Sequence, residues 1–408
     1  TRVRLVRNHE IRDTARPNAA IGTNPYDATA GGGCTTLVVD LDAATAEPTL
    51  VREFVSISGT HVNCAGGPTP WGSWLTCEET TAGTRNAFAR KHGYIFEVPA
   101  GADGEVAQAV PYTAMGRFSH EAIAVDPARG IVYETEDAGS TTSGFYRFLP
   151  TEPGNLAAGG RLQMLAVDGR PQLNTGAGGI PPFVPLPVRW VDIADPDPDL
   201  EGGRPTCFQQ GLAQGGARFA RLEGCWWADD SVYFNATSGG AIGAGQVWQY
   251  RALDADRGQL MLVFESPSRN VLDAPDNICV SPRGGLVICE DGGGAQFIRT
   301  DLRPRALGER DVGHRVLRLL LQPRRARALL QHAGEHEQHR HGARRHLRPV
   351  RALGPGSPLM RTLRFAAALA TAAVLATPTA AVAQPLTFET VPVNAAGFNT
   401  TPFTALGD

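Results

Sequence analysis

Two stretches of this chain follow one plan. Residues 122–137 (AIAVDPARGIVYETED) and 278–291 (ICVSPRGGLVICED) each run as an apolar strand, an Asp-Pro or Ser-Pro step, a turn with glycine, a second apolar strand and an acidic pair. Short β-branched and aromatic runs bounded by Pro and Gly are hairpin signals. Hairpins that repeat with the same chemistry at the same end predict a radial array, in which each unit delivers its acidic loop to one axial face. Other runs fit the same plan, among them GYIFEV, GFYRF, SVYFN and QVWQY. The 47 glycines and 30 prolines supply the turns, so the expected class is all-β, a β-propeller, and 408 residues are compatible with one large unit of that kind.

Charge and cysteine usage exclude more than they assign. A net charge of −3 gives no basic field of the kind that draws nucleic acid, so no nucleic-acid partner is expected. The seven cysteines contain no CxxC pair and hence no zinc-finger framework, and their odd number leaves at least one outside any intrachain disulfide.

The C-terminal quarter departs from this pattern. Residues 298–364 contain no Phe, Tyr or Trp and carry most of the histidines, with arginine runs such as Arg324-Arg325, Arg344-Arg345 and Arg348. A metal- or nucleic-acid-binding tail is one reading. A frameshift is the favoured one, because a one-nucleotide shift at Gln322 restores Ser-Pro-Asp-Gly-Arg, the turn chemistry of the hairpins. From Met360 a basic start, an apolar run from Phe365 to Leu375 and Ala381-Val-Ala resemble a secretory signal peptide, here in the interior. Its apolar core is short for a membrane span, so no stable insertion is expected. The expected division is a propeller over residues 1–300, an Arg/His-rich tail over 301–359, a signal-peptide-like apolar helix over 360–384 and an unstructured end over 385–408.

Acidic and soft side chains recur in Gly- and Pro-bounded loops: Asn8-His9-Glu10, the run GTHVNCAGG around Cys64, LTCEE ending in Glu78-Glu79, GRFSHE ending in His120-Glu121, Arg221-Leu222-Glu223, and Glu290-Asp291 before three glycines. These segments, above all NCAGGPTPWGSWLTCEE, GRFSHEAIAVDP, the Glu136-Asp137 loop, RLEG and LDAPDNICVSP, resemble the PhoX-type alkaline phosphatases over about the first 300 residues. The resemblance implies a six-bladed propeller that hydrolyses phosphate monoesters with iron and calcium at its axis. Carried over position by position, it makes Cys64 an iron ligand and Glu10, Glu79, Glu121, Glu223 and Glu290 carboxylate ligands of iron or calcium. Arg221 would hold the substrate phosphate, with Glu223 beside it in the catalytic site. Small phosphate esters are then the expected partners, a monomer the expected state, and the periplasm or the exterior, reached by the twin-arginine route, the expected location. The family's export signal and first strands are not found before Asn8, and its closing strands are lost if the tail is frame-shifted, so the ring is expected to be incomplete at both ends.

The chemistry is consistent with these roles. Calcium takes several oxygens in flexible geometry, whereas a thiolate beside carboxylates suits iron. Arginine recognises phosphate through a planar, two-toothed contact. Each assignment has a plainer alternative. A lone cysteine is more often core than ligand, and His9 and His120 read as hydrogen-bonding neighbours of the adjacent glutamates. Glu78 reads as a surface carboxylate beside Glu79. Trp71, Trp74, Trp226 and Trp227 read as packing, and Asp192, Asp195, Asp197 and Asp199, in an inter-blade insertion over residues 181–205, as solvated turn residues. Rival functions on this fold are a calcium-dependent lactonase, a phosphodiesterase and a non-catalytic calcium-binding scaffold.

Overall fold

A computed structural model describes residues 1–45, 47–281, 285–301, 388–392 and 404–407. Strands β1 (Arg2–His9), β2 (Gly32–Leu41) and β3 (Pro48–Thr60) form the first blade, and β20 (Thr404–Gly407) adds to it along β1. The second blade is β4 (Asn63–Pro68), β5 (Ser73–Glu78) and β6 (Ile95–Pro99). The third is β7 (His120–Val125), β8 (Val132–Glu136), β9 (Phe145–Pro150) and β10 (Gly160–Val167). The fourth is β12 (Leu222–Ala228), β13 (Ser231–Ala236), β14 (Gln246–Ala252) and β15 (Gly258–Glu265). The fifth is β16 (Pro275–Val280), β17 (Leu286–Glu290), β18 (Phe297–Asp301) and β19 (Phe388–Pro392). Each chain-adjacent pair within a blade is antiparallel, as short turns between strands require.

The protein is all-β apart from the short helix α1 (Cys207–Ala213) and a few 3₁₀ turns. Both hairpins singled out in the sequence are blade hairpins, β7–β8 and β16–β17. Among the described residues there are five blades, against the six expected. The first strands of successive blades, β4, β7, β12 and β16, pack against one another around the axis. β7 and β8 are buried along their whole length, the polar His120, Glu121, Glu134, Thr135 and Glu136 included.

The segment expected as an insertion forms β11 (Leu186–Asp192), which pairs with β10 on one side and β15 on the other. It fuses the third and fourth blades into one nine-stranded sheet. An aromatic core of Tyr133, Phe145, Trp190, Phe234 and Tyr250 fills the space between those blades, with Phe145 stacked on Phe234 at 4.2 Å. Trp74 is buried, and Trp71, Trp226 and Trp227 pack at the margins of the cores. Beyond β11, Glu201 is held by the guanidinium of fully buried Arg117 at 2.7 and 2.8 Å.

The C-terminal expectation needs correction at two places. Residues 388–392 and 404–407, read as part of an unstructured end, are strands: β19 pairs with β18 and β20 with β1. Backbone pairing to a sheet edge needs little from side chains, so the composition of the tail gave no sign of it. The Arg/His-rich stretch and the signal-peptide-like segment lie outside the described residues. No helix among the described residues is long and apolar enough to cross a membrane.

Candidate metal centre

The first strand of each of four blades carries a bulge at the same place. The ladder register slips between Asn63 and Gly66 in β4, His120 and Ile123 in β7, Leu222 and Cys225 in β12, and Pro275 and Ile278 in β16. The first residue inside each slip is Cys64, Glu121, Glu223 or Asp276. Two residues earlier, the carbonyls of Val62, Ser119, Arg221 and Ala274 accept from the amides of Glu79, Asp137, Thr237 and Asp291, at 2.8, 3.1, 2.9 and 2.9 Å. Val62, Arg221 and Ala274 share a left-handed backbone, with φ of 51°, 51° and 53°. A bulge frees one residue from pairing and re-aims its side chain, and non-glycine residues at positive φ mark places where the fold enforces a turn. Four blades thus present one side chain each from the same position.

Those side chains converge with others from the loop ends. One ligand atom each from Glu10, Cys64 and Glu79 lie within 4.8 Å of one another, and the same holds for Glu121, Glu223 and Asp276. The Cys64 thiol joins the two trios, donating to Glu121 Oε1 at 3.2 Å and reaching Glu10 Oε2 at 3.7 Å. Two arginines flank the cluster. Arg12 donates to Glu10 at 2.7 Å and contacts Glu79. Arg221 donates through Nε and Nη2 to Asp137, at 3.1 and 2.7 Å, and through Nη2 to Glu223 Oε1 at 3.1 Å.

Burial sets the electrostatics. Desolvation, reinforced by their neighbours' negative charge, holds Glu121, Glu223 and Asp276 well above the usual carboxylate range. Desolvation also raises Glu79 to about 7, against the pull of Arg12. Burial, then Glu121, Glu79 and Glu10, pushes the Cys64 thiol far up. Glu121 Oε2 is buried with no hydrogen-bond partner. Crowded, dehydrated carboxylates with an orphaned oxygen fit cations: the all-oxygen trio suits a hard ion and the trio with sulfur a softer one.

The family model for alkaline phosphatase PhoX matches residues 1–305. The chain belongs to the PhoX family. Among solved structures, Pseudomonas fluorescens PhoX in complex with vanadate, a transition-state analogue, matches with a TM-score of 0.53 at 19% identity, over 73% of this chain and 75% of that one, a likeness of fold. A Lactobacillus plantarum protein matches at a TM-score of 0.30 and 11% identity, over 74% of this chain and 63% of that one, too distant to carry weight. No curated protein matches the chain in sequence. As a PhoX protein it is a metalloenzyme of the phosphoric monoester hydrolase class.

Of the residues expected in this PhoX site, Glu10, Cys64, Glu79, Glu121, Arg221 and Glu223 come together. Glu290 falls in neither trio: its Oε1 accepts from buried Arg299 at 2.6 Å and from the Asp273 amide at 2.9 Å. Register explains this. Glu290 pairs with Pro275 as Glu78 pairs with Asn63 and Glu136 with His120, so Asp291 is the counterpart of Glu79 and Asp137. Glu78 is likewise not a surface group. It is fully buried and accepts from the amides of His61, Gly93 and Tyr94 and from His92 Nδ1. His9 meets Thr35 at 3.0 Å and His120 the Gly116 carbonyl at 3.1 Å. Asp192, Asp195, Asp197 and Asp199 belong to neither trio. Sequence reading missed Asp276, Asp137 and Arg12. The repeated acidic pair was the available signal for Asp137; for Asp276 it was the motif LDAPDNICVSP, which holds two aspartates and does not say which one serves until the bulges are aligned.

Proposed function

We propose that the chain is a metal-dependent alkaline phosphatase whose two trios, Glu10/Cys64/Glu79 and Glu121/Glu223/Asp276, hold iron and calcium respectively at the propeller axis, with Arg221 as the phosphate clamp. The observation that carries this reading is Arg221 itself, pinned by Asp137 and Glu223 at the edge of a buried acidic cluster while its side chain stays half exposed. Bound cations would supply charge neutralisation at the phosphoryl oxygens and a water acidified into nucleophile range.

The chain's own residues do the rest. Asp137 fixes the guanidinium plane and leaves Nη1 for a phosphoryl oxygen, so the ester is oriented before reaction. Glu223 touches Arg221 and belongs to the oxygen trio, which couples the position of substrate to that of the ligands. The buried cluster excludes bulk water, where each of these contacts would be weaker. No protein nucleophile is needed. A small phosphate monoester as substrate and a periplasmic or secreted location draw their support from the family, and a monomeric state belongs to the same reading.

The test is hydrolysis of p-nitrophenyl phosphate by the chain supplied with iron and calcium salts, beside Cys64→Ala and Arg221→Ala. Loss of iron in the first and a rise in KM in the second, each with activity falling at least about a hundredfold, are expected. A folded, metal-loaded protein that hydrolyses a lactone or a phosphodiester and leaves the monoester intact would overturn the proposal.

A further inference from the structure

Three buried side chains that touch no candidate ligand atom recur at one position of the blade plan. Asn8, Thr135 and Asn235 each stand two residues before the loop-end positions Glu10, Asp137 and Thr237. Asn8 Nδ2 donates to the carbonyls of Cys64 and Ala65 at 3.0 and 2.9 Å. The Thr135 hydroxyl accepts from the Ala122 amide at 3.0 Å and donates to the Glu223 carbonyl at 2.7 Å. Asn235 Nδ2 donates to the Asp276 carbonyl at 2.9 Å. In each case the donor sits on one blade and the accepting carbonyl belongs to the bulged residue of the next.

We propose that Asn8, Thr135 and Asn235 are positioning residues that set the spacing of the metal centre by hanging each ligand-bearing bulge from the neighbouring blade. The inference rests on reading the two trios as metal sites. A bulge takes its residue out of the ladder, so its carbonyl needs another partner and its side chain another source of rigidity. Carbonyl and side chain share one Cα, so a tether on the first fixes the origin of the second. Asn8 is itself fixed: its Oδ1 accepts from Cys34 Sγ, Trp74 Nε1 and Thr76 Oγ1. Two of the tethers serve the oxygen trio, through Glu223 and Asp276, and one serves the sulfur trio, through Cys64. Between the second and third blades the same position is the buried Cys77, a weak donor, so spacing there falls to packing.

A role limited to stability and a role in spacing differ in what they predict. The full chain, supplied with iron and calcium salts, is compared as wild type, Thr135→Val, Thr135→Ser and Asn235→Ala. The readouts are calcium affinity by chelator competition, metal per chain by elemental analysis, and the melting temperature of the metal-free protein. Expected is calcium binding weakened about tenfold or more in Thr135→Val and Asn235→Ala, recovery in Thr135→Ser, and unchanged iron content, since the Asn8 tether is intact. Calcium affinity equal to wild type in both weakened variants, whatever their melting temperature, overturns the proposal. So does parallel loss of iron and calcium, which would mean general loosening. If Thr135→Val does not fold, Asn235→Ala against wild type carries the same comparison. A wild-type chain that takes up neither ion is a separate outcome and overturns the metal-site reading beneath.

Discussion

At the scale of single residues, consecutive acids in a strand face opposite ways, and this decides which carboxylate serves the site. Glu79, Asp137 and Asp291 occupy one position, and Glu78, Glu136 and Glu290 the buried one before it. Asp291→Asn is therefore expected to lower metal content with little effect on the melting temperature of the metal-free chain. Glu290→Gln, which breaks a buried pair with Arg299, is expected to cost about 3 kcal/mol and leave metal content intact. Elemental analysis and thermal melts of the two variants check both. Sequence alone chose Glu79 over Glu78 but Glu290 over Asp291, two different ladder positions, because parity is set by the ladder and not by the motif. Cys64 and Glu121 were legible because each stands in a long motif bounded by glycine or proline, and Arg221 because it stands beside Glu223 in RLEG. A pH effect belongs here too. Burial pushes the His92 imidazolium down, but Glu78 at 2.7 Å and Asp27 at 3.5 Å outweigh it and raise it to about 9. A raised histidine stabilises fully below its unfolded value, near 6.5, and loses that contribution as pH climbs through about 9. The wild-type melting temperature is expected to drop by a few degrees between pH 7 and 10, and the drop to vanish in His92→Gln, as scanning calorimetry across that range would reveal.

At the scale of elements, the bulges and the close approach of blades make the cluster. A methyl group on Gly224 would sit 2.7 Å from Asn277 Cα in the next blade, and one on Gly67 would sit 2.3 Å from the Ile123 carbonyl. Glycine is needed at both for the blades to meet, which brings Glu223 within reach of Asp276. Gly224→Ala is expected to separate β12 from β16 and cost about 2 kcal/mol or more, with calcium affinity falling alongside. Urea unfolding paired with a calcium titration would show both; wild-type values for each would mean the strands can shift without harm. The hairpins were legible as alternating runs, but a slip of one residue leaves no mark in composition, so the bulges were not.

For the whole molecule, the radial plan was legible because two hairpins share one pattern. What the sequence hid was the bridging of blades three and four by β11, whose LPVRWVD carries Pro187, follows Pro181, Pro182 and Pro185, and so reads as a loop segment with no hairpin partner nearby. The segment after β11 is tied down by Arg117, which donates to the carbonyls of Thr81, Ala82 and His92 as well as to Glu201. Arg117→Leu would strand those acceptors, and a loss of about 3 kcal/mol is expected, with proteolytic cleavage first appearing after Ile193. Limited proteolysis followed by mass spectrometry locates the cut, and a first cut elsewhere would show that Arg117 does not anchor this segment.

The four bulged positions also behave like interchangeable sockets. Cysteine, glutamate, glutamate and aspartate occupy equivalent bulge positions in four blades, each two residues beyond a main-chain bond that does not depend on the occupant. A change of occupant can therefore alter which ion the centre prefers without asking anything new of the fold. Metal preference in such a ring is open to revision one codon at a time.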